Sequence, residues 1–126
     1  RLFSKLGIKR PTWETDPLGN SFGAGGLFLT LSELHKIGLF YLNKGKWNGK
    51  QILSEKWIAE STKAADVGHY GYLFWRGEYN SFRADGKYSQ ITMVLPEKNA
   101  VVSLVAECRK GEELMRALYD LVCAKI

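Results

Sequence analysis

The sequence predicts an α+β fold of the α/β sandwich type, in which a helical first half precedes an antiparallel sheet and a closing C-terminal helix. Three observations predict this order. Apolar residues recur at helical spacing in 34–42, they alternate with polar residues in 88–95, and helical spacing returns in 112–125. Short turns separate the strand-like segments, so consecutive strands should pair antiparallel in a sheet of about three to four strands.

The first half carries the signals of two capped helices. Thr30 and Glu33 form the capping-box pattern, in which each side chain satisfies a backbone N–H of the other residue. Gly45 suits a left-handed helix end, and Asn48-Gly49 suits a tight turn. Ser54 can cap a second helix. The first helix should bury one stripe, formed by Leu34, Ile37, Gly38, Tyr41 and Leu42.

The second half carries the signals of strands. An aromatic strand is predicted over 70–75, a second strand over 79–84 and a third over 88–95, followed by a turn over 96–99. Segment 100–106 is apolar on both of its faces, which predicts cover on both sides of the sheet. The last helix should bury a stripe formed by Leu114, Leu118, Leu121 and Val122.

Composition and charge argue against several classes of protein. Apolar residues make up 45% of the chain, with four Trp, six Tyr and six Phe, which excludes a disordered chain. No apolar run approaches the roughly 18 residues that cross a bilayer. The net charge is +5, but the basic residues are dispersed, which favours a solvated surface over a nucleic-acid interface. We expect neither a nucleic-acid nor a membrane partner and, with no leader pattern, a cytoplasmic location.

Cysteine and histidine positions indicate neither a disulfide nor a metal site. Cys108 and Cys123 flank a predicted helix of about 18 Å, whereas a disulfide needs Cα atoms within about 7 Å. His35 and His69 have no further Cys or His at ligand spacing. We therefore expect reduced cysteines, no bound metal and no cofactor.

Three stretches match catalytic motifs in amino-acid sequence but lack the surrounding features that those motifs need. Residues 19–23 read Gly-Asn-Ser-Phe-Gly, but the strand and helix that a nucleophile elbow needs do not flank Ser21, so a structural loop is favoured. The glycine-rich run 23–26 lacks the Lys of a phosphate loop, and close backbone packing is favoured. Tyr41-Leu42-Asn43 matches a Tyr-x-Asn element, but Tyr41 lies on the apolar stripe and is expected in the core.

Two further features leave alternatives open. Asp85 lies between Arg83 and Lys87 and could orient a substrate, although Asp85-Gly86 is also a hairpin-turn signal. The aromatic residues of 70–75 could line a ligand groove or pack within the sheet. No stretch supplies a complete nucleophile and base, because the sequence contains no Ser-x-x-Lys.

A series of motifs along nearly the whole chain resembles the serine hydrolase family of class C beta-lactamases, related esterases and penicillin-binding proteins. In order, these are Leu6-Gly7-Ile8, Gly25-Gly26-Leu27-Phe28-Leu29-Thr30, Tyr41-Leu42-Asn43-Lys44-Gly45, Trp47 to Ser54 with Trp57, Tyr70 to Trp75, Gly86 with Gln90, and Leu95-Pro96-Glu97. The family acts through a Ser and a Lys one helical turn later, plus a Tyr, all upstream of the matched region. The resemblance therefore implies a C-terminal part, a single partial beta-lactamase-like domain over 1–126, mainly helix and loop in 1–66 and strands plus a helix in 67–126.

The resemblance also implies where this part would meet a substrate. The family's Lys/His-x-Gly strand segment falls on Ala84, Asp85 and Gly86, and the backbone N–H of Lys87 would form half of an oxyanion hole. Gly86 matches the family, whereas Ala84 lacks the cation, which Arg83 or Lys87 would have to supply. These four positions, 84–87, are the candidate oxyanion and substrate-strand residues.

The expected function follows from this resemblance. The chain should be the C-terminal portion of a serine hydrolase that cleaves ester or amide bonds through an acyl-enzyme, and it should be inactive without the N-terminal half. A free sheet edge could pair two copies into a homodimer. The alternative is a non-catalytic ligand-binding or protein-interaction module that uses the aromatic sheet. A basic nucleic-acid binder is a third, less favoured hypothesis.

Overall fold

The computed structural model describes residues 2–23, 25–65 and 68–126. The first half contains α1 (Leu2–Lys5), β1 (Thr12–Trp13), β2 (Leu27–Phe28), α2 (Leu31–Leu42), β3 (Lys46–Trp47), β4 (Lys50–Gln51) and α3 (Glu55–Ser61). The second half contains β5 (Tyr70–Gly71), β6 (Phe74–Arg76), β7 (Phe82–Gly86), β8 (Gln90–Leu95), a 3-10 turn (Pro96–Lys98) and β9 (Ala100–Val105). The C-terminal helical segment consists of α4 (Gly111–Ala117), a π-helical turn (Leu118–Val122) and a 3-10 turn (Cys123–Lys125).

The second half forms one open antiparallel sheet of five strands in the order β5-β6-β7-β8-β9. Strand β8 pairs with β9 along its whole length, from Gln90 opposite Val105 to Leu95 opposite Ala100. Strands β1 and β2, and β3 and β4, form two separate antiparallel ribbons. The predicted α+β architecture of a helical first half, an antiparallel sheet and a C-terminal helix is confirmed.

Helices cover both faces of β8 and β9, as the doubly apolar sequence of β9 predicts. On one face, α2 packs so closely that a Cβ on buried Gly38 would lie 2.5 Å from Val101 Cγ1 and 2.6 Å from Thr92 Oγ1. On the other face, the C-terminal helical segment contributes Tyr119 and Cys123 to a core shared with β8. The buried members from β8 are Ile91, Met93 and Leu95.

A second core lies between α2 and the rest of the first half. Phe40 is fully buried there and packs with Leu6, Ile8 and Ile58. Phe40 is not part of the predicted stripe of α2, because the helix is apolar on two sides: one meets the sheet and the other meets α1 and α3. A single-stripe interpretation therefore misses it.

The predicted helix caps and tight turns of the first half are confirmed. Thr30 Oγ1 accepts the Glu33 N–H at 3.3 Å, and Glu33 Oε2 accepts the Thr30 N–H at 3.0 Å, which completes the capping box. Ser54 Oγ accepts the Trp57 N–H at 3.1 Å and caps α3. Gly45 has φ +80°, while Asn48 and Gly49 have φ +47° and +76° in the turn between β3 and β4.

The aromatic segment 70–75 is a hairpin and not the single strand that its composition predicts. Tyr72 and Leu73 have φ of +48° and +72°, and the chain reverses there so that Tyr70 lies opposite Trp75. Two successive residues with positive φ match the right-handed twist of paired strands. This reversal divides one predicted strand into two and helps to raise the number of strands in the sheet to five.

Of the two alternatives left open for Asp85, the hairpin turn at Asp85-Gly86 is wrong. Both residues lie inside β7, Asp85 opposite Ile91 and Gly86 opposite Gln90. The chain turns over 87–89 instead, where the Ser89 N–H donates to the Gly86 carbonyl oxygen at 3.1 Å. Tyr88 and Ser89 have positive φ and end the strand here. Neither Tyr nor Ser is a residue type that predicts a left-handed turn.

The C-terminal helical segment buries only part of the predicted stripe, since Leu118 packs against the core. Leu121 is 67% exposed and Val122 is 37% exposed, whereas Tyr119 and Cys123 are buried. The π-helical turn over Leu118–Val122 rotates the following side chains relative to a regular helix, so a 3.6-residue period fails there.

Both cysteines are free thiols, Cys108 half-buried and Cys123 buried. Burial raises the pKa of the Cys123 thiol.

In the part of the chain that the structure describes, every helix is too short or too polar to cross a bilayer.

Candidate functional site

Strand β7 is paired on one side only over the segment 84–86, which the resemblance predicts to be a substrate strand. All five residues of β7 pair with β8, but only Phe82 and Arg83 pair with β6. Among the described residues, no strand lies against the other side of Ala84, Asp85 and Gly86. This open edge leaves backbone groups of β7 available to an extended ligand, which is how a peptide-like molecule adds to a sheet.

Alternation along β7 places these residues on opposite faces of the sheet. Ala84 lies opposite Thr92 and faces α2, whereas Arg83 and Asp85 lie opposite Met93 and Ile91 and face the other way. Arg83 is therefore on the wrong face to supply a cation at the Ala84 position.

Arg83 is instead held by its neighbours. Its Nε donates to Asp85 Oδ2 at 3.0 Å, and the two side chains are 17% and 24% exposed. The guanidinium carbon of Arg83 lies 6.0 Å from the ring centroid of Trp75, a cation–π distance. Both interactions hold the Arg83 side chain at the start of the open segment, and the ion pair offsets the charge of the Asp85 carboxylate.

A concave surface begins at the end of the open segment. It is lined by Asp85, Gly86, Tyr88, Ser89, Cys108, Arg109 and Gly111. Two cations flank the Tyr88 ring: Lys87 Nζ lies 4.9 Å and the Arg109 guanidinium carbon 5.6 Å from its centroid. Lys87 lies in the turn directly after β7, so the open strand edge ends beside a concavity whose lining includes the cation of Arg109 and the carboxylate of Asp85.

The aromatic hairpin supplies both packing and an exposed surface, as the two interpretations of 70–75 allowed. Phe74 packs inward, with its centroid 4.9 Å from that of Tyr41 and 5.7 Å from that of Phe82. Tyr70 and Trp75 are 38% and 43% exposed, with centroids 4.5 Å apart. A further exposed pair is formed by Trp57 and Tyr72, with centroids 6.0 Å apart.

Tyr41 lies in the core, as predicted from its place on the apolar stripe. Its ring contacts Phe40, Phe74 and Phe82. Burial raises the pKa of the Tyr41 hydroxyl, and a weaker opposing effect comes from a hydrogen bond to Ser61. A raised pKa does not favour the tyrosinate that a catalytic base needs, which agrees with the packing of Tyr41 in the core.

The Gly-x-Ser-x-Gly stretch is a structural loop, as predicted. Ser21 forms an isolated bridge with Thr15, and Asp16 organises the loop by accepting the N–H groups of Leu18 and Asn20, each at 2.9 Å. These bonds, led by the Asn20 side-chain amide, lower the pKa of the Asp16 carboxyl. No helix follows Ser21 directly, since α2 begins at Leu31.

The close backbone packing predicted for the glycine-rich run 23–26 is found at Gly26 but not at Gly23 or Gly25, where a Cβ would meet nothing within 4 Å; Ala24 lies outside the described residues. Gly26 has φ +74°, and a Cβ there would lie 2.8 Å from the Glu14 side chain. Gly26 therefore has a structural role that requires no bound phosphate.

One polar cluster was not predicted from the sequence. His35 Nδ1 lies 2.9 Å from Ser103 Oγ, which in turn lies 2.9 Å from Thr92 Oγ1, between α2 and the sheet. Thr92 is buried, so the contacts satisfy a hydroxyl that would otherwise be costly to bury. The signal was present: Thr92 and Ser103 lie opposite each other as polar residues within the largely apolar strands β8 and β9. Within the described residues, no group of three His, Cys, Asp or Glu side chains could hold a metal.

The layered helices and the open antiparallel sheet define a class of fold, a partial beta-lactamase-like domain. Among solved structures, the chain is similar to "Putative 6-aminohexanoate-dimer hydrolase from Bacillus anthracis", with a TM-score of 0.69 and 21% sequence identity. The match covers 85% of this chain and 31% of that chain, so the present chain spans less than a third of that hydrolase. No protein-family model and no curated protein matches the sequence.

Proposed function

We propose that this chain is the C-terminal portion of a beta-lactamase-like serine hydrolase that cleaves ester or amide bonds through an acyl-enzyme. The open edge of β7 from Ala84 to Gly86 carries the proposal, because it presents unpaired backbone beside the concavity that begins at Asp85 and Gly86. The similarity to 31% of a longer hydrolase chain supports the idea that the remaining machinery is supplied by other polypeptide.

In this proposal, the chain binds and polarises the substrate while a Ser and a Lys outside these 126 residues perform the attack. The substrate acyl group would lie along the edge of Ala84 to Gly86, with the Lys87 N–H directed at its carbonyl oxygen. Such a donor contributes about 3 kcal/mol when negative charge develops on that oxygen, but only with a nucleophile in place. Ala84 offers no cation for a beta-lactam carboxylate, which favours simple esters or amides.

A reconstitution experiment tests this division of labour. The present chain, the polypeptide encoded upstream of it, and the two together are each incubated with p-nitrophenyl butyrate. Hydrolysis is expected only from the two together, and it should disappear when the Ser of an upstream Ser-x-x-Lys is changed to Ala. Hydrolysis by the present chain alone, or an upstream sequence without Ser-x-x-Lys, would contradict the proposal.

The exposed aromatic pairs favour a second candidate function, a non-catalytic binding module. Tyr70 and Trp75 form a solvent-facing pair that could stack on a flat or apolar ligand. A ligand screen by thermal shift on the chain alone tests this. A ligand that raises the melting temperature of the wild type but not of Trp75→Ala would support the binding module.

A further inference from the structure

Arg109 brings a guanidinium without an ionic partner to the concave surface at the end of β7. In the described parts of the chain, this guanidinium forms no ion pair and no hydrogen bond. Asp85, which lines the same concavity, pairs instead with Arg83 at 3.0 Å. The guanidinium carbon of Arg109 lies 5.6 Å from the ring centroid of Tyr88. Because a guanidinium is planar and has five N–H donors, it can contact a ring and bind a planar acceptor at the same time.

The main chain next to Arg109 is held to the turn that follows β7. The Cys108 N–H donates to the Tyr88 carbonyl oxygen at 3.1 Å, and the Ser89 hydroxyl donates to the Cys108 carbonyl oxygen at 3.4 Å. Ser89 is buried, so water has little access to the second bond. These bonds fix the backbone beside the strand end, and the contact with Tyr88 limits the side chain of Arg109. Such preorganisation lowers the cost of ordering the group when a ligand binds.

The guanidinium of Arg109 lies where the proposed substrate edge ends. Asp85 and Gly86 belong both to the open segment of β7 and to the lining of the concavity that contains Arg109. A substrate with its carbonyl oxygen at the Lys87 N–H would therefore place neighbouring atoms in this concavity. Ala84 faces α2 and has no charge, so Arg109 is the cation that such a substrate meets.

We propose that Arg109 binds a carboxylate carried by the substrate, so that the hydrolase prefers esters or amides whose acyl chain ends in a carboxylate. The preference rests on the proposed function, whereas the carboxylate site itself can be measured without it. A carboxylate matches the planar fork of a guanidinium and accepts two parallel N–H bonds. The Asp85 carboxylate in the same lining disfavours a ligand with two negative charges, such as a phosphate, because like charges repel.

Titration of the 126-residue chain, followed by nuclear magnetic resonance, tests the carboxylate site. The probe is monomethyl glutarate, which carries one carboxylate, and dimethyl glutarate is the neutral control. At constant ionic strength, the monomethyl ester should shift the amide signals of Tyr88, Cys108 and Arg109, and the dimethyl ester should not. The shifts should disappear in Arg109→Gln and persist in Arg116→Gln, which makes the same charge change at an exposed position of α4 outside the concavity. Circular dichroism verifies that both variants fold.

Kinetics of the reconstituted hydrolase test the substrate preference. p-Nitrophenyl butyrate is compared with p-nitrophenyl hydrogen glutarate, which has the same leaving group and carries a carboxylate on the terminal carbon of the butyryl chain. The wild type should hydrolyse the glutarate ester with a kcat/KM about tenfold higher or more, the gain expected from a hydrogen bond between charged groups. Arg109→Gln should abolish this ratio, and Arg109→Lys should keep part of it, because Lys retains the charge without the planar fork. Arg116→Gln should keep the full ratio.

The two experiments separate the carboxylate site from the proposed function. No shifts around Arg109, equal shifts in Arg109→Gln, or tighter binding of inorganic phosphate at the same signals would overturn the carboxylate site. Specific binding by the chain alone, together with no hydrolysis by the reconstituted pair, would support the site and contradict the proposed function. Hydrolysis without a preference for the glutarate ester would support the proposed function and overturn the substrate preference.

Discussion

Trp75 and Arg83 form the last cross-strand pair between β6 and β7. Phe74, which precedes Trp75 in β6, pairs with Gly71 in the β5-β6 hairpin and has no pairing with Ala84. Strand β6 begins at Phe74 and has no residue to place beside Asp85 or Gly86, and the contact of Arg83 with Trp75 marks the point at which β7 becomes open on one side. The candidate substrate edge exists because an aromatic turn at Tyr72 and Leu73 shortens its neighbour.

Removing the backbone donor after Gly86 should impair the reconstituted hydrolase. Lys87→Pro deletes the N–H proposed for the oxyanion hole, and loss of one such donor lowers kcat by about 10²- to 10³-fold. Lys87→Ala keeps the N–H and should retain most activity. Steady-state kinetics with p-nitrophenyl butyrate measures both; equal losses in the two variants would assign the effect to the side chain and exclude the donor role.

Truncating Phe40 should be the most damaging of the simple core changes. Phe40 is fully buried between α1, α2 and α3, so Phe40→Ala should lower the free energy of unfolding by about 3–5 kcal/mol. Phe28→Ala removes the same atoms from a side chain that is 59% exposed and should cost much less. Urea unfolding followed by circular dichroism compares them, and similar losses would show that Phe40 is not a core residue.

Gly38 should not tolerate a methyl group. Ala normally favours a helix over Gly by about 1 kcal/mol, but a Cβ here would overlap Val101 and Thr92, and overpacking costs about 1–3 kcal/mol. Gly38→Ala should therefore be net destabilising in thermal unfolding. Gly23→Ala, where a Cβ meets nothing within 4 Å, should leave the melting temperature nearly unchanged. A stabilised Gly38→Ala protein would show that α2 lies farther from the sheet.

The capping box should make α2 sensitive to acid. Hydrogen bonds from the Thr30 backbone and hydroxyl lower the pKa of Glu33 below its ordinary value of 4.5. Because the folded-state pKa is the lower one, the contribution of ionised Glu33 to stability is present above 4.5 and is lost as the pH falls through the folded value.

Glu33→Gln should therefore be less stable than wild type at pH 7, and the difference should shrink towards pH 3. Urea unfolding at the two pH values measures it. Glu60→Gln makes the same charge change outside the capping box and serves as the control. A Glu33→Gln deficit that is equal at both pH values would mean that the ionised carboxylate does not carry the effect.

Local signals in the sequence predict much of this fold. The capping box of Thr30 and Glu33 and the turn at Asn48 and Gly49 depend on contacts within a few residues, so the local sequence is enough to predict them. Tyr72 and Leu73 adopt a turn that their own preferences disfavour, because pairing of the flanking strands and burial of Phe74 outweigh the local cost. The shifted stripe at Tyr119 and Cys123 likewise depends on packing against β8, which local periodicity does not contain.

The candidate site was predicted only in part. The resemblance proposes Ala84 to Lys87 as candidate site residues, whereas Asp85-Gly86 as a dipeptide indicates a turn; only the sheet register shows a strand with one open side. The contact between His35 and Ser103 joins residues 68 positions apart, so it depends on how α2 crosses the sheet and not on any local pattern.

The central claim is that the attacking serine lies outside this chain, and mass spectrometry after treatment with a fluorophosphonate probe tests it most directly. The account predicts that the intact chain keeps its unmodified mass of 14.3 kDa, with Ser21 and Ser103 unlabelled, and that the upstream polypeptide in the reconstituted pair takes up one probe. Stoichiometric labelling of any serine in the isolated chain would contradict the account.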